Sequence, residues 1–531
     1  MIDVLIIGSG ISGLTAAINA KKNDSNVLVV SKTYPTHSQS VQAQGGINAV
    51  LYEDDDSVET HIEDTYKASC KLSNKDNIKL MCQNAKDTIF WLDSIGVPFN
   101  RTSEKKIAQR KFGGTKKIRT CYSSDYTGLK ILHTLYDKAI YENIEFKNEY
   151  FLLDLIIKDN YCLGAIFYDI VNGEVKEIFA KSTIIATGGY AGIYSNFTTN
   201  SYSNCGDGIA VAFNSGVELS NMEFVQFHPT TLENSNILIS ESARGEGGYL
   251  LDQNENRFID ELKSRDEVSR AIFEKIERKE KVYLDLRHLG LNKINEVMPQ
   301  ERRLAFDYSN IRIESELLPI TPAAHYTMGG IKTDINSQTN INNLYACGEC
   351  AQSFIHGANR LGGNSLLEIV TFGKIAGINA SNKAKNTFNS NFDVNISIKN
   401  FIDDIYNYPN KINFYHSKDE IGKDLFNKLG LFRSEHKISE LINKLEEIKS
   451  NFNYMGIYDK SRQYNKNLID FLEFRNIIDL SIIVAKCSLL REESRGSHFR
   501  LDYPLESENY EKSSLIKKVN DKIKIDFEDI L

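Results

Sequence analysis

Ile2-Asp-Val-Leu-Ile-Ile-Gly8-Ser-Gly10-Ile-Ser-Gly13-Leu-Thr-Ala-Ala-Ile18 decides the fold. An apolar run breaks into G-x-G-x-x-G and passes into a helix-forming stretch, the fingerprint of a dinucleotide site. Gly8 allows the tight turn, Gly10 lets the backbone approach a pyrophosphate, and Gly13 lets the helix lie close to the strand. The pyrophosphate is expected on the unpaired N–H groups and positive dipole end of that helix. The motif stands at the start of the chain with no leader ahead of it, so the expected site belongs to an N-terminal domain.

Working outward, the next strand, Asn26-Val-Leu-Val-Val, is followed by Ser31-Lys32. An NAD site places an acid there to bind the ribose hydroxyls. Lys32 reads either as an acceptor for a 2′-phosphate or as an ordinary solvated charge. FAD is favoured over NAD(P), because the rest of the chain supplies FAD-type pieces.

At 531 residues the chain calls for two or three domains. Its 41% hydrophobic and 25% charged composition is that of a soluble globular protein. The net charge of -8 argues against nucleic acid, and an anionic substrate then requires a local cluster of Arg and His. No apolar run reaches the roughly 18 residues of a membrane span. The bland reading is cytoplasmic. Eight cysteines at 70, 82, 121, 162, 205, 347, 350 and 487 form no disulfide framework. Cys347-Gly-Glu-Cys350 lacks both a thioredoxin-like context and a second pair for zinc, so it reads as packing, and no metal site is expected.

Residues 1–215 read as alternating strands and helices. Ser182-Thr-Ile-Ile-Ala-Thr-Gly188-Gly189 is a buried strand running into a second glycine turn. Residues 216–334 carry mixed strands and many charges. The strand-and-glycine pattern returns at Asn343-Leu-Tyr-Ala-Cys-Gly348-Glu349, which implies a first domain split into 1–215 and 335–385 with a second inserted in it. Asn386-Thr-Phe-Asn-Ser-Asn-Phe-Asp-Val-Asn395 reads as a linker. From 398 to 531, apolar residues at helical spacing (Ile438, Leu441, Ile442, Leu445, Ile448) predict a helical bundle, with a solvated charged tail at its end.

Three segments concentrate Arg, His and Gly: Phe227-His228-Pro-Thr230; Ser240-Glu241-Ser-Ala-Arg244-Gly-Glu246-Gly with Ser264-Arg265-Asp266; and His325-Tyr-Thr-Met-Gly-Gly with His356-Gly-Ala-Asn359-Arg360-Leu-Gly-Gly-Asn-Ser365-Leu-Leu-Glu368. A substrate with two carboxylates needs several donors converging from different loops, with Arg supplying a bidentate fork and His a single N–H.

With these motifs the chain resembles the flavoprotein subunit of the succinate dehydrogenase and fumarate reductase family, whose superfamily includes L-aspartate oxidase. The likeness extends to Arg495-Gly-Ser-His-Phe-Arg-Leu-Asp-Tyr-Pro504. It implies an α/β fold: a Rossmann-like FAD-binding domain, an inserted α+β capping domain and a C-terminal helical domain, with the active site at their junction. It also implies FAD contacts at Gly8, Gly10, Gly13, Ser31, Lys32, Ser38, Ser40, Gly45, Gly46, Asp207 and Glu349, with Ser365 and Leu366 near the flavin. By the same resemblance His228, His325 and Arg360 clamp the substrate carboxylates. Ser240, standing where the family has Thr, keeps the hydroxyl donor. Arg265 delivers the proton, fed by Glu241 and Arg244. An arginine is normally locked in its charged form, so it serves as an acid only if a neighbour replaces the proton at once.

One departure is informative. Membrane-complex members attach FAD covalently through a His six residues before the first glycine of Gly45-Gly46, and here Gln39 stands there. His37, two residues earlier, would need a local bulge to reach the same flavin carbon. A non-covalent FAD is expected. Fumarate reduction and aspartate oxidation both stay open to such a chain. Ile239-Ser-Glu-Ser-Ala-Arg-Gly-Glu246 is oxidase-like. Arg110-Lys-Phe112-Gly-Gly114, Arg119-Thr-Cys, Thr127-Gly-Leu-Lys-Ile-Leu-His-Thr-Leu-Tyr and Tyr283-Leu-Asp-Leu-Arg-His-Leu-Gly resemble the dicarboxylate enzymes more closely. The oxidase's Glu for the substrate amino group has no counterpart after residue 100. The reading chosen is succinate–fumarate interconversion, with L-aspartate oxidase as the alternative. A flavoprotein that binds a partner or RNA without turnover has no need of His228, Arg265, His325 and Arg360 together. The chain carries no iron–sulfur motif, so the resemblance implies an iron–sulfur partner and, through it, a membrane anchor at the inner face of the cytoplasmic membrane.

Overall fold

The computed structural model describes residues 2–52, 55–115, 117–387 and 397–530. The opening strand Ile2–Ile7 (β1) is followed at once by helix Ile11–Lys22 (α1) and strand Val27–Ser31 (β2). β1 pairs in parallel with β2 on one side and with residues 180–185 of strand Glu174–Ile185 on the other. Glu145–Asn148 extends the parallel set beyond β2, and Leu344–Ala346 joins it beside Thr183–Ile185. Every strand of this set is buried apart from Glu145–Asn148 at its edge and the start of β1, which fits near-continuous apolar runs rather than alternation.

The glycines act as their positions require. A Cβ on Gly13 would lie 2.1 Å from the Gly8 carbonyl oxygen, so helix and strand touch backbone to backbone. Gly8 has φ +114°, and a Cβ there would lie 2.2 Å from the Ala186 carbonyl oxygen at the end of the neighbouring strand.

Simple alternation does not describe the whole of residues 1–215. Tyr150–Lys158, Tyr161–Asp169 and the first half of Glu174–Ile185 form an antiparallel meander. Its first turn is the two-residue Asp159-Asn160, with φ 51° and 63°. Both residues tolerate the left-handed region that a tight hairpin needs. Strand Glu174–Ile185 thus serves the meander with its first half and the parallel sheet with its second.

Between the two visits to the parallel sheet, Val225–Leu232, Leu318–Thr327, Tyr283–Asp285 and Tyr249–Leu251 form a four-stranded antiparallel sheet. With helices Arg265–Glu277 and Pro299–Ser309 they enclose a separate apolar core around Ile239, Leu250, Ile272, Leu284 and Leu318. Further along, Phe414–Leu429, Glu435–Ser450 and Lys466–Leu490 pack as helices, with Ile438, Leu441, Ile442 and Leu445 buried and Ile448 partly so. Most of the linker read over 386–395 lies outside the described residues.

The expected solvated tail is a hairpin instead. Ser513–Val519 and Lys522–Glu528 pair across Asn520-Asp521, again a two-residue turn with φ 49° and 59°. Ser513 to Ile516 are buried, and the hairpin adds to Leu219–Ser220. Alternating charge hid a strand whose other contacts come from residues three hundred positions earlier.

Gly13→Ala is expected to force α1 off β1 and abolish retention of a dinucleotide. Flavin absorbance of the purified variant, compared with the unsubstituted chain, checks this.

Candidate active site

Two clefts meet above the parallel sheet. The first is walled by Gly8, Ser9, Gly10, Ser31, Lys32, Ser38, Ser40, Gly188 and Asp207, and the second by Gly45, Gly46, Phe112, His228, Ser240, Glu241, Arg265, His325 and Arg360. Gln39, Ala43, Glu349, Ser365 and Leu366 line both, so they mark the junction. The start of helix Asn364–Lys385 stands at that junction and presents its positive end there.

The first cleft is built for an anion. Gly10 caps α1 without a side-chain hydrogen bond, and among the described residues the Ile11 N–H is the one first-turn N–H met by a side chain, Ser40 Oγ at 3.3 Å. Ser38 Oγ is buried with no partner among the described residues. An uncapped helix end beside an orphaned hydroxyl fits a pyrophosphate.

Lys32 is neither a solvated charge nor free for a 2′-phosphate. Its Nζ bonds Asp207, the Ser203 carbonyl at 2.7 Å and Glu473 at 2.8 Å, Glu473 arriving from helix Lys466–Leu490. Burial opposes its charge, but the two carboxylates prevail and hold it well above the usual lysine range. Cys205, Asp207 and Glu473 converge closely enough to suggest a cation site, and the Lys32 ammonium bonds two of the three.

In the second cleft the cationic groups converge. Arg265 opens helix Arg265–Glu277, and Glu241 opens the short helix Glu241–Gly245. Arg265 Nε and Nη2 both donate to Glu241 Oε2, at 2.8 and 2.6 Å. Burial raises the Glu241 carboxyl, but Arg265 and Arg244 outweigh it and hold it below the ordinary range. Gly113 and Gly362 make room for this carboxylate: a Cβ on either would lie 2.4 or 2.6 Å from its oxygens. Arg244 lies behind the wall, donating to the Glu261 carbonyl at 2.6 Å, with Nε and Nη2 buried and without a partner among the described residues.

The two histidines are anchored from behind. His325 Nδ1 lies 2.8 Å from Thr199 Oγ1, and His228 Nδ1 lies 3.1 Å from the Thr230 carbonyl oxygen and 3.3 Å from the Thr230 backbone nitrogen. Their rings meet edge to face at 5.0 Å. Among the described residues neither Nε2 is hydrogen-bonded to protein. Burial first, and Arg265 second, push both rings well below the usual histidine range, so they are neutral at pH 7. Arg360 stacks on Tyr326 at 4.1 Å and is lowered to about 9 by burial and by Arg265. Glu349 accepts from Thr327 N at 3.0 Å and is pushed up to about 7 by burial. His356 has both ring nitrogens buried without a partner among the described residues and does not line either cleft.

Sequence reading missed Gln226. Its Oε1 accepts from Arg265 Nη1 at 3.0 Å and Arg360 Nη2 at 3.1 Å, while its Nε2 donates to Asn359 Oδ1 at 2.8 Å. It stands two residues from His228 on one strand, and that period is the signal that could have found it. Gln39, in place of the expected attachment histidine, accepts the Ser201 N–H at 2.8 Å.

This geometry agrees with the comparisons. Residues 3–366 match the family model described as FAD binding domain, and residues 418–531 match fumarate reductase flavoprotein C-term. The chain belongs to the succinate dehydrogenase/fumarate reductase flavoprotein family. It is 36% identical to the succinate dehydrogenase flavoprotein subunit of Rickettsia conorii, over 94% of this chain and 90% of that one. It is 37% identical to the 8-methylmenaquinol:fumarate reductase flavoprotein subunit of Wolinella succinogenes, over 100% of this chain and 90% of that one. The solved structure of E. coli quinol fumarate reductase FrdA superimposes with a TM-score of 0.95 at 33% identity, covering 100% of this chain and 96% of that chain. As a member of this family the chain is an FAD-dependent oxidoreductase.

Removing one partner of a buried pair leaves an uncompensated charge. Glu241→Gln is therefore expected to destabilise the protein by about 3 kcal/mol, read as a lowered thermal unfolding midpoint, because Arg265 and Arg244 lose their shared counter-charge.

Proposed function

We propose that this chain interconverts succinate and fumarate as the flavoprotein subunit of a succinate dehydrogenase/fumarate reductase complex. The observation that carries the reading is a charge imbalance at the end of an FAD-type cleft. Arg265, Arg360 and Arg244 crowd one buried carboxylate, Glu241, beside two neutral histidines with open Nε2 atoms. Two positive charges remain uncompensated, and a dicarboxylate dianion supplies the balance while using bidentate and single donors alike.

In this reading 1–215 with 335–385 hold FAD, 216–334 cap the substrate and 398–531 buttress both. Gly8, Gly10, Gly13, Ser38 and Ser40 cradle the pyrophosphate, Ser31, Lys32 and Asp207 border the ribose, and Gly45, Gly46, Glu349, Ser365 and Leu366 border the ring system. FAD, when bound, supplies the two-electron half of the exchange. The chain supplies the rest. His228, Ser240, His325 and Arg360 orient the carboxylates and exclude water. Arg265 gives a guanidinium proton to the substrate carbon in the reductive direction, and Glu241 returns one across the 2.6 Å contact to Nη2. Arg244, three residues along the same short helix, stands ready to recharge Glu241. In the oxidative direction the same atoms carry the proton outward.

Electrons enter or leave through a partner with iron–sulfur clusters. Among the described residues no helix is long and apolar enough to cross a membrane. We place the complex at the inner face of the cytoplasmic membrane through its other subunits.

FAD is held without a covalent bond, because the Gln39 amide offers no nucleophile of the histidyl kind. Acid precipitation is expected to release the yellow colour into the supernatant. Flavin fluorescence that stays with the denatured chain would show that another residue, such as His37, has formed the link.

Arg265→Gln is expected to keep FAD and still permit flavin reduction by an artificial donor, while fumarate turnover with reduced viologen falls by about ten-thousand-fold. Arg265→Lys retains a little activity, since an ammonium donates from a different distance. Silence of both variants with fumarate, combined with lost oxidation of aspartate by oxygen, would transfer the assignment to L-aspartate oxidase.

A further inference from the structure

Helix Glu241–Gly245 carries both members of the proton relay and begins at Ser240, yet it lacks half of its own cap. Ser240 Oγ accepts from Ser242 N at 3.1 Å and from Ser242 Oγ at 2.9 Å. In a capping box, the acid or amide side chain three residues into the helix then reaches back to the N-cap N–H. That position here is Ala243, which has nothing to offer. The missing acceptor comes from another helix. Glu301, fully buried in Pro299–Ser309, accepts from Ser240 N at 3.0 Å through Oε1, and the Ser242 hydroxyl oxygen lies 3.3 Å from that same atom.

Glu301 is itself held from behind. Asp125 Oδ2 accepts from Gln300 N at 2.7 Å and Glu301 N at 3.1 Å, capping the helix that presents the side chain. The charged groups facing the Glu301 carboxyl are Asp125, ahead of helix Thr127–Tyr141, and Arg110 of strand Gln109–Arg110; Tyr122 and Glu246 lie on the Arg110 side. Among the described residues Glu301 Oε2 and Arg110 Nη1 are both buried without a partner. Arg110 Nε in turn donates to the carbonyl of Gly45, which lines the same cavity beside Ser240.

We propose that Glu301 is a positioning residue that completes the cap of helix Glu241–Gly245 from outside, fixes Ser240 and Glu241 against the cavity, and by its own charge state sets how well that cavity accepts a dianion. This rests on the dicarboxylate reading above. Burial first and Asp125 second push the Glu301 carboxyl up to about 8, against the pull of Arg110. It is the neutral acid at pH 7. As pH rises past 8 a negative charge appears directly behind the Ser240 N–H, where it opposes an incoming dianion. The same acid keeps its Oε1 as an acceptor in both forms, so the cap persists while one negative charge is added behind it.

The test compares FAD-loaded Glu301→Gln, which keeps an acceptor and cannot ionise, with Glu301→Leu, which keeps bulk and has no acceptor. Amide hydrogen exchange over residues 239–246 is expected to quicken in Glu301→Leu and to stay as in the unsubstituted protein in Glu301→Gln. With reduced viologen and fumarate, Glu301→Leu is expected to raise KM by about tenfold, the scale of one lost hydrogen bond. Its kcat falls by a smaller factor, and Glu301→Gln matches the unsubstituted KM at pH 7. Between pH 7 and 8, below the range in which Arg360 loses its charge, the KM of the unsubstituted enzyme climbs and that of Glu301→Gln does not. Unchanged exchange and KM in Glu301→Leu, or equal losses in both variants, would overturn the positioning role. A KM that climbs equally in Glu301→Gln would overturn the charge assignment. If the unsubstituted chain turned over no fumarate, the functional reading would fall instead, and the exchange comparison would still decide what Glu301 holds.

Discussion

A single carboxylate, Glu241, is the counter-charge around which the second cleft is organised. Arg265 forks onto one of its oxygens, Arg244 stands behind it, and Arg360 shares the amide oxygen of Gln226 with Arg265. Buried guanidiniums repel one another strongly in a dry site, so three of them stay together only if something negative is fixed among them. Gly113 and Gly362 are glycines because that carboxylate occupies the space a Cβ would need. With Glu241 in place the cavity is still short of negative charge, and this residual deficit gives it a preference for anions without any further device.

The charge arrangement depends on where the backbone brings two clefts together. The parallel sheet delivers Gly8 and Gly188 to the same end, and helix Asn364–Lys385 begins where that end meets the antiparallel sheet carrying Gln226, His228 and His325. The long strand Glu174–Ile185 makes this possible by belonging to two sheets at once, parallel in its second half and antiparallel in its first. The C-terminal segment locks the arrangement from outside: Arg491 bonds Glu223 at 2.7 Å, and both side chains are wholly buried.

Much of this was legible in the sequence because it rests on local sterics. Gly8, Gly10 and Gly13 carry their meaning in their spacing, and the apolar runs before Gly188 and Gly348 read as buried strands for the same reason. His228, Glu241, Arg265, His325 and Arg360, which line one cleft, stood out because Arg and His are rare in such density beside glycine turns. Gln226 and Glu301 were not found. Each is an ordinary polar residue whose importance exists only after distant segments meet. Ala243, at a position where a helix start prefers an acid, was a faint local sign that an acceptor had to come from elsewhere. The hairpins at Asp159-Asn160 and Asn520-Asp521 escaped because neither turn contains the glycine that usually announces a two-residue loop. Lys32 read as a phosphate acceptor or a solvated charge because its partners, Asp207 and Glu473, stand far along the chain.

That last contact bears on how the protein is made. A ribosome releases residue 32 long before residue 473, and translation proceeds at about 5–20 residues per second. Until Glu473 emerges, Lys32 and Asp207 lack the second carboxylate that fixes their geometry. The residues lining the nucleotide cleft end at Ile369, so its walls are all synthesised before this brace arrives. A chain stopped short of Glu473 carries the lining of the cleft without the ion pair that holds Lys32 from outside.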